Sequence, residues 1–187
     1  MQLRNSITRW GVVSQVLHWA IVGFLLVMAV LGLSMTELPN GIDKIKTYAL
    51  HKSLGITVLA LILLRLLWRL VAGPAPAAPG PRWQRRLAAT THAALYVLLL
   101  AMPLSGWAFN SAANFALRWF GWVNLPRLLP ADPGLKAVFH AAHEWLFWLL
   151  VGVVLLHAAA ALKHHWLDRD DVLRRMLPWS QTHKEKT

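Results

Sequence analysis

Four long apolar runs alternate with shorter polar stretches along the chain. The runs cover residues 12–34, 50–71, 87–109 and 138–162. Each is about twenty residues long or slightly more, which is the length an α-helix needs to cross the hydrocarbon core of a bilayer. The pattern predicts an all-α, integral membrane four-helix bundle formed as one domain over residues 1–187, with a polar tail from residue 163. The first run is too long for a signal peptide and lacks a small-residue cleavage site, so we expect it to be retained.

The connections between the runs differ in character. Residues 36–49 are expected to form a loop that turns at Pro39, Asn40 and Gly41, and residues 73–81 form a linker rich in proline and glycine. Residues 110–136 carry several large aromatic side chains, which predicts a segment lying in the membrane interface. Pro103 and Gly106 are expected to kink the third helix, because proline removes a backbone donor and clashes with the preceding turn.

Composition strengthens the membrane assignment and narrows the possible cofactors. The chain is 57% hydrophobic and only 14% charged, with a mean hydropathy of +0.45. A soluble domain of this size would carry more charge. There is no cysteine, which excludes a Cys-ligated iron–sulfur cluster, structural disulfides and haem attached through a CxxCH motif. Any metal must therefore be held by histidine or oxygen ligands.

The strong positive charge is interpreted as an orientation signal rather than as a nucleic-acid surface. The formal net charge is +11, contributed by nineteen Lys and Arg residues. The side reached by the first and third connections holds six of them, counting Lys52 at the start of the second run: Lys44, Lys46, Lys52, Arg118, Arg127 and Lys136. The others belong to the side that holds both termini. The positive-inside rule then predicts cytoplasmic termini, and we call that side inner and the opposite side outer.

Histidines occur at two matched depths in the predicted helices. His143 and His157 are fourteen residues apart, almost four helical turns, so both leave the fourth helix on one stripe about 21 Å apart along the axis. His51 and His140 lie near the outer depth, and His18 and His92 lie near the inner depth. Isolated membrane histidines are usually hydrogen-bonded polar residues, but two layers of imidazoles on facing helices suit two stacked haems. The pattern therefore predicts two haem groups.

The choice of iron ligands follows partly from helical geometry. His51 is the one histidine on the second helix, and it is expected to hold the outer haem with His143. His140 is rotated about 60° from His143, which makes it the weaker candidate. For the inner haem, His157 has two possible partners, His18 and His92. The spacing leaves this choice open.

Two further groups of residues are candidates for cofactor contacts. Arg65 and Arg69 share a face of the second helix near the inner depth, where a guanidinium suits a haem propionate; the alternative is that both reach the cytoplasmic interface. Lys163 and His164 follow His157 by about two turns. His164 is expected to hydrogen-bond a quinone carbonyl, the alternative being a solvated basic helix end.

Three segments resemble the bacterial cytochrome b561 family, and in particular its small, stand-alone, superoxide oxidase-like members. They are RNSITRWGVVSQVLHW at residues 4–19, HKSLGI at residues 51–56 and LHAAAALKHHWLDRDD at residues 156–171. The resemblance covers nearly the whole chain and implies a four-helix protein with two b-type haems in the bacterial inner membrane. It also implies His18 with His157 as the inner iron ligands and His51 with His143 as the outer ones. His92 then supports a ligand or contacts a propionate.

The resemblance implies electron transfer from a periplasmic donor to membrane ubiquinone, with superoxide, oxidised to dioxygen, as the expected donor. The outer cations Lys44, Lys46, Lys52, Arg118 and Lys136 could attract a small anion, Lys52 beside the outer haem being the catalytic candidate. The alternative is a cytochrome b subunit that relays electrons between a periplasmic dehydrogenase and the quinone pool. A third possibility is a structural bundle without cofactor. The expected partners are the lipid bilayer, ubiquinone and a small anionic or redox donor, with no nucleic acid.

Overall fold

Four long helices make up most of the structure, a computed structural model that describes residues 2–74, 76 and 80–178. The helices are α1 (Val12–Glu37), α2 (Ile42–Val71), α3 (Arg82–Ala112) and α4 (Pro133–Trp166). All four are long and apolar enough to cross a membrane, and large apolar side chains cover much of their outer surface. The prediction of a mainly helical, four-span membrane bundle is confirmed.

The helices pack in chain order. α1 lies along α2, α2 along α3, and α3 along α4. The tightest packing is in the middle of the bundle, where Ile21, Val58 and Ile62 are buried. Among the described residues of α4, Leu150 alone is buried, so α4 is packed on one side and faces α1 and α2 across a looser interior. This looser interior contains the histidines.

The helices are longer than the apolar runs that predicted them. α2 begins at Ile42 and includes Asp43, Lys44 and Lys46, and α1 extends to Glu37. The loop predicted over residues 36–49 is therefore wrong except at residues 38–41. α3 starts at Arg82, five residues before the predicted span. α4 starts at Pro133, where the Asp132 carboxylate caps the helix by accepting a bond from Leu135 N at 2.7 Å. Hydropathy marks the membrane boundary, whereas capping and turn chemistry mark the helix boundary.

A small antiparallel β-hairpin lies in the α3–α4 connection, which sequence analysis predicted to be a segment in the membrane interface. β1 (Leu117–Trp119) pairs with β2 (Val123–Leu125). Phe120 and Gly121 both have positive φ, as in a type I′ turn. Phe120 N donates to Ser53 Oγ at 3.0 Å and Trp119 Nε1 donates to Thr57 Oγ1 at 3.1 Å, which holds the hairpin on α2.

The two ends of the described chain meet at the same end of the bundle. After α4 the chain forms a short 3-10 helix (Arg174–Met176) and runs along the start of α1. Trp19 Nε1 donates to Met176 O at 2.9 Å, and Gln15 Nε2 donates to Arg175 O at 3.0 Å. The predicted polar tail is thus partly docked as far as residue 178. Residues 179–187, and 75 and 77–79 of the predicted linker, lie outside the described residues.

Candidate functional site

The outer histidine pair joins α2 to α4. The ring centroids of His51 and His143 are 6.4 Å apart, with their planes nearly perpendicular at 81°. His143 Nδ1 lies 3.0 Å from Met102 O and 3.0 Å from Ser105 Oγ, while the Ser105 hydroxyl donates to Met102 O at 2.8 Å. Because the carbonyl can only accept, Nδ1 carries the proton and the Nε2 lone pair is available to a ligand or metal.

Two glycines make room for the outer rings. A Cβ placed on Gly106 would lie 2.9 Å from His143 Cε1, and one on Gly32 would lie 3.4 Å from His51 Cε1. Gly106, which sequence analysis treated as a helix-kinking residue, therefore provides the space for the His143 ring. His51 Nδ1 is buried and has no hydrogen-bond partner among the described residues. The two outer imidazoles are thus held differently, one by hydrogen bonds and the other by packing.

The inner histidines form a group of three. His18 of α1 and His157 of α4 have ring centroids 6.3 Å apart and planes at 78°, closely matching the outer pair. His92 of α3 lies nearer to His157, at 5.3 Å between centroids. His140, which lies one turn before His143, instead packs edge-on against the Phe109 ring, with the two ring centroids 5.1 Å apart. The structure therefore brings His157 close to both of the partners that helical spacing left open.

Two arginines of α2 lie close to this inner group. Arg65 Nε donates to the Tyr96 hydroxyl and Arg65 Nη1 donates to Ser14 O, both at 3.3 Å. The Arg69 guanidinium lies over the Tyr96 ring, 5.5 Å from its centroid. Sequence analysis selected both arginines but missed Tyr96, which joins them, because a single tyrosine in an apolar run has no distinctive spacing.

A polar network anchors the start of α1 to the end of α2 beneath the inner histidines. Asn5 Oδ1 accepts bonds from Gly11 N at 3.0 Å and from the Ser14 hydroxyl at 2.8 Å. Ser14 Oγ in turn accepts a bond from Trp68 Nε1 at 3.0 Å. Asn5 N donates to Ala72 O at 2.8 Å, which extends the network to the end of α2. These contacts fix the position of the helix that carries His18.

Comparison with known proteins identifies the family of this bundle. The family model described as prokaryotic cytochrome b561 matches residues 9–179, nearly the whole chain. The chain belongs to this family. Membership implies haem b binding and membrane electron transfer, and it makes this chain a multi-pass membrane protein of the bacterial type.

Several curated relatives share this fold family. The protein named cytochrome b561 homolog 2, from Escherichia coli K12, is 39% identical over 181 residues, covering 95% of each chain. Cytochrome b561 homolog 1 of the same organism is 34% identical over 131 residues, 68% of this chain and 73% of that one. The probable superoxide oxidase CybB of Yersinia pestis is 33% identical over 130 residues, covering 69% of this chain and 73% of its own.

The spacing of the paired rings fits the haem b that this cytochrome family binds. If each ring of a pair offered one nitrogen to a metal at about 2 Å, the ring centroids would lie roughly 6 Å apart. The His51–His143 and His18–His157 separations of 6.4 and 6.3 Å agree with this value. The His92–His157 separation of 5.3 Å is shorter than such a pair requires. The unpartnered buried nitrogen of His51 and the loose packing beside α4 also suit a large cofactor.

The outer end of this cytochrome b561 carries Lys52 beside an open cavity. The cavity has a volume of about 290 Å³, and Asn110, Arg118 and Arg127 are among its lining residues. Lys52 Nζ donates to Asn110 Oδ1 at 3.2 Å and to Ala116 O at 3.4 Å, so its ammonium group is held at the edge of the cavity. The ten lining residues include two arginines and no acidic residue, which favours an anion there.

The inner end places the two predicted quinone residues in a cluster with carboxylates. Lys163 Nζ lies 2.6 Å from Asp168 Oδ2, and this hydrogen bond lowers the pKa of the Asp168 carboxyl below its usual value. His164 Nδ1 lies 2.6 Å from Asp170 Oδ2. The simple alternative of a solvated basic helix end is incomplete, since acidic partners fold back onto both residues. Sequence analysis missed Asp168 and Asp170, although both belong to the LDRDD motif that it quoted.

Proposed function

We propose that this cytochrome b561 carries two haem b groups and passes electrons from superoxide at the periplasmic face to ubiquinone near the cytoplasmic face. The observation that carries the proposal is the repetition of one imidazole pair geometry at two depths along α4, at 6.4 Å and 6.3 Å. The positive-inside distribution of Lys and Arg supports cytoplasmic termini and an inner bacterial membrane.

In this proposal His51 and His143 bind the iron of the outer haem, and His18 and His157 bind that of the inner haem. A bound haem b supplies reversible one-electron chemistry, and the protein supplies ligands, spacing and local charge. The hydrogen bonds from His143 Nδ1 keep its Nε2 available for the iron. The short separation between His92 and His157 favours His18 as the inner ligand, with His92 as a contact of the cofactor.

Arg65 and Arg69 are proposed to balance the negative charge of the inner propionates. Arg65 donates hydrogen bonds to Tyr96 and Ser14, which hold its guanidinium group at the inner end. A guanidinium has five donors. Those that do not bond Tyr96 or Ser14 remain available for a carboxylate, which they can bind in bidentate geometry.

Superoxide is the proposed donor because it is a small anion and the outer cavity is cationic. Arg118 and Arg127 line an opening with no carboxylate in its lining, and Lys52, next to His51 on α2, lies at its edge. The relative named probable superoxide oxidase supports the same substrate. Two superoxide ions each give up one electron and become dioxygen, and one ubiquinone takes up both electrons and two protons to become ubiquinol. Lys163 and His164 are the proposed quinone contacts.

Stopped-flow mixing of the purified, oxidised protein with superoxide tests the proposal directly. We expect both haems to be reduced and then reoxidised when soluble ubiquinone is added. Lys52→Met should slow haem reduction about threefold to tenfold at low ionic strength, and less at high salt, because an attractive charge is lost. Arg82→Met, which removes an exposed cation at the end of α3 opposite the cavity, should leave the rate unchanged.

Two results would contradict the proposal. If superoxide does not reduce the haems faster than it dismutates, the donor is wrong, and copurification of a periplasmic dehydrogenase subunit would then favour the relay alternative. If the purified protein shows no reduced-minus-oxidised haem spectrum, the bundle has no redox cofactor.

A further inference from the structure

The chain turns back sharply on the inner end of α4. Leu167 N and Asp168 N both donate to Lys163 O, at 2.9 and 3.1 Å, and Asp170 N donates to His164 O at 3.0 Å. Arg169, between the two aspartates, has a φ of +54°, the left-handed conformation that commonly ends helices. This turn brings the carboxylates of Asp168 and Asp170 back to the side chains of the last helical turn.

Both carboxylates approach the same ring nitrogen of His164. Asp170 Oδ2 lies 2.6 Å from His164 Nδ1, and Asp168 Oδ2 lies 3.3 Å from it. Asp168 also binds Lys163 at 2.6 Å, so Asp170 is the main partner of the imidazole. Because a carboxylate accepts, Nδ1 holds a proton, and Nε2 is the nitrogen that can exchange one with another molecule.

We propose that Asp170 is a positioning residue for proton uptake, orienting His164 so that its Nε2 delivers a proton to the quinone. This inference rests on the quinone role proposed for His164. A quinone that gains two electrons through the haems must also gain two protons to become quinol. His164 gives the Nε2 proton to a quinone carbonyl oxygen and regains one from cytoplasmic water. By accepting a hydrogen bond, Asp170 keeps Nδ1 protonated. Its negative charge balances the positive charge of the imidazole ring while both ring nitrogens hold protons.

Other charged groups surround this pair, and the experiment must distinguish their effects from that of Asp170. On α4 they are Lys163 and His165. On the following segment they are Asp168, Arg169, Asp171, Arg174 and Arg175, with Arg174 Nη1 at 3.9 Å from Asp171 Oδ1. From the N-terminal segment, Arg9 Nη2 donates to Leu177 O and Pro178 O at 3.2 and 3.3 Å. Asp170 is distinguished from the other acidic residues by its short contact with His164.

Asp170→Asn is the variant that separates this role from a structural one. Asp170 Oδ1 accepts a bond from Val172 N at 3.0 Å, and an amide oxygen can keep that bond while the amide loses the negative charge. We expect reoxidation of the reduced haems by soluble ubiquinone to slow by about tenfold or more. The variant's rate relative to wild type should fall further between pH 6 and pH 8.5. Without an oriented His164 the quinone depends more on protons taken directly from water, which are scarcer at high pH. A pH-indicator dye should show proton uptake slowed equally.

Three comparison variants keep the inference testable. Asp171→Asn removes the same charge one residue further along, beside Arg174 rather than His164, and should behave as wild type. Asp170→Glu should restore part of the rate. His164→Ala should be at least as slow as Asp170→Asn, while His165→Ala, on a different face of α4, should behave as wild type.

The outcomes distinguish the positioning role from the quinone role. Slow reoxidation in His164→Ala with a wild-type rate in Asp170→Asn overturns the role of Asp170 and leaves the quinone site in place. Wild-type rates in both variants overturn both. A deficit in Asp170→Asn that is independent of pH and equal in Asp171→Asn indicates general electrostatics and overturns the inference. Inhibition of the wild type by a chelator also overturns it, because His164, Asp168 and Asp170 would then be holding a metal ion.

Discussion

The outer and inner ends of the bundle close around similar histidine pairs in different ways. At the outer end, Phe120 N and Trp119 Nε1 donate neutral hydrogen bonds to the Ser53 and Thr57 hydroxyl oxygens, which holds the β-hairpin against α2. At the inner end, charged groups hold the chain after α4, with Lys163 and His164 facing two aspartates. These hairpin contacts therefore involve no ionisable side chain, whereas the contacts at the inner end involve groups that can gain or lose protons.

The two histidine pairs also differ in how closely they are packed and in the charged groups around them. The outer rings are closely fitted, since Gly106 and Gly32 leave little space beside His143 and His51. The inner pair has a third imidazole, His92, and two guanidinium groups nearby. Closely fitted outer rings beside a cationic cavity suit a reaction that moves only an electron from a small anion. A charged inner site suits a reaction that also moves protons, as the proposed reduction of quinone does.

The largest expected effect follows from removing one ring of the outer pair. His143→Ala should lower the haem content from two per chain to one, because no other imidazole of α4 faces His51 at a ligating distance; His140 contacts Phe109 instead. The measurement is haem per protein by alkaline pyridine absorbance. His140→Ala is the matched control and should keep both haems. Loss of both haems from His143→Ala, or of neither, would contradict the separation of the two layers.

A smaller effect should follow from filling the space beside the outer ring. In Gly106→Ala the new methyl group would lie 2.9 Å from His143 Cε1, so the ring must shift. Overpacking of this kind costs about 1–3 kcal/mol, and we expect partial loss of the outer haem with the inner haem intact. Gly32→Ala, at 3.4 Å from His51, should be milder. Gly152→Ala, where nothing lies within 4 Å, should match wild type, and an equal loss in all three would refute the close fit.

The next prediction concerns the reduction potential of the outer haem. Hydrogen bonding at Nδ1 raises the basicity of an imidazole ligand and favours the oxidised iron. Ser105→Ala removes one of the two groups within 3.0 Å of His143 Nδ1 and leaves Met102 O. The outer potential should rise by about 20–60 mV, which corresponds to one hydrogen bond of about 0.5–1.5 kcal/mol. A redox titration should show the inner potential unchanged; a shift in both would contradict a local effect.

The depth and facing of the histidines could be predicted because a membrane helix imposes regular geometry on sequence spacing. His51 and His143 do lie side by side, and so do His18 and His157. Their binding of iron stays a prediction. Helical spacing could not decide between His18 and His92, because that decision depends on how far apart α1, α3 and α4 pack. Only tertiary structure supplies the distances of 6.3 and 5.3 Å.

The features missed by sequence analysis depend on turns rather than on hydropathy. The β-hairpin requires positive φ at Phe120, which is uncommon for a bulky residue, and only the following Gly121 hints at it. The return of Asp168 and Asp170 to α4 requires the same conformation at Arg169, a residue with no preference for it. Composition identified the tail as polar, but could not show that it docks on Trp19 and Gln15.

The smallest expected effect distinguishes the two ends by their response to acid. The hydrogen bond from Lys163 lowers the pKa of Asp168, so the folded state is stabilised above the ordinary aspartate pKa of about 4 and loses this contribution as pH falls through the lowered value. The effect is small because the pair is exposed.

Hydrogen exchange, corrected for intrinsic rates, should show protection in residues 167–178 decreasing below about pH 4. Residues 117–125, held by Ser53 and Thr57, should show no such decrease, because hydroxyl and indole groups do not titrate there. Asp168→Asn should remove much of the pH dependence at the inner end while leaving the hairpin unaffected. Equal acid sensitivity at both ends, or an unchanged response in Asp168→Asn, would show that the charged closure of the inner end does not depend on this ion pair.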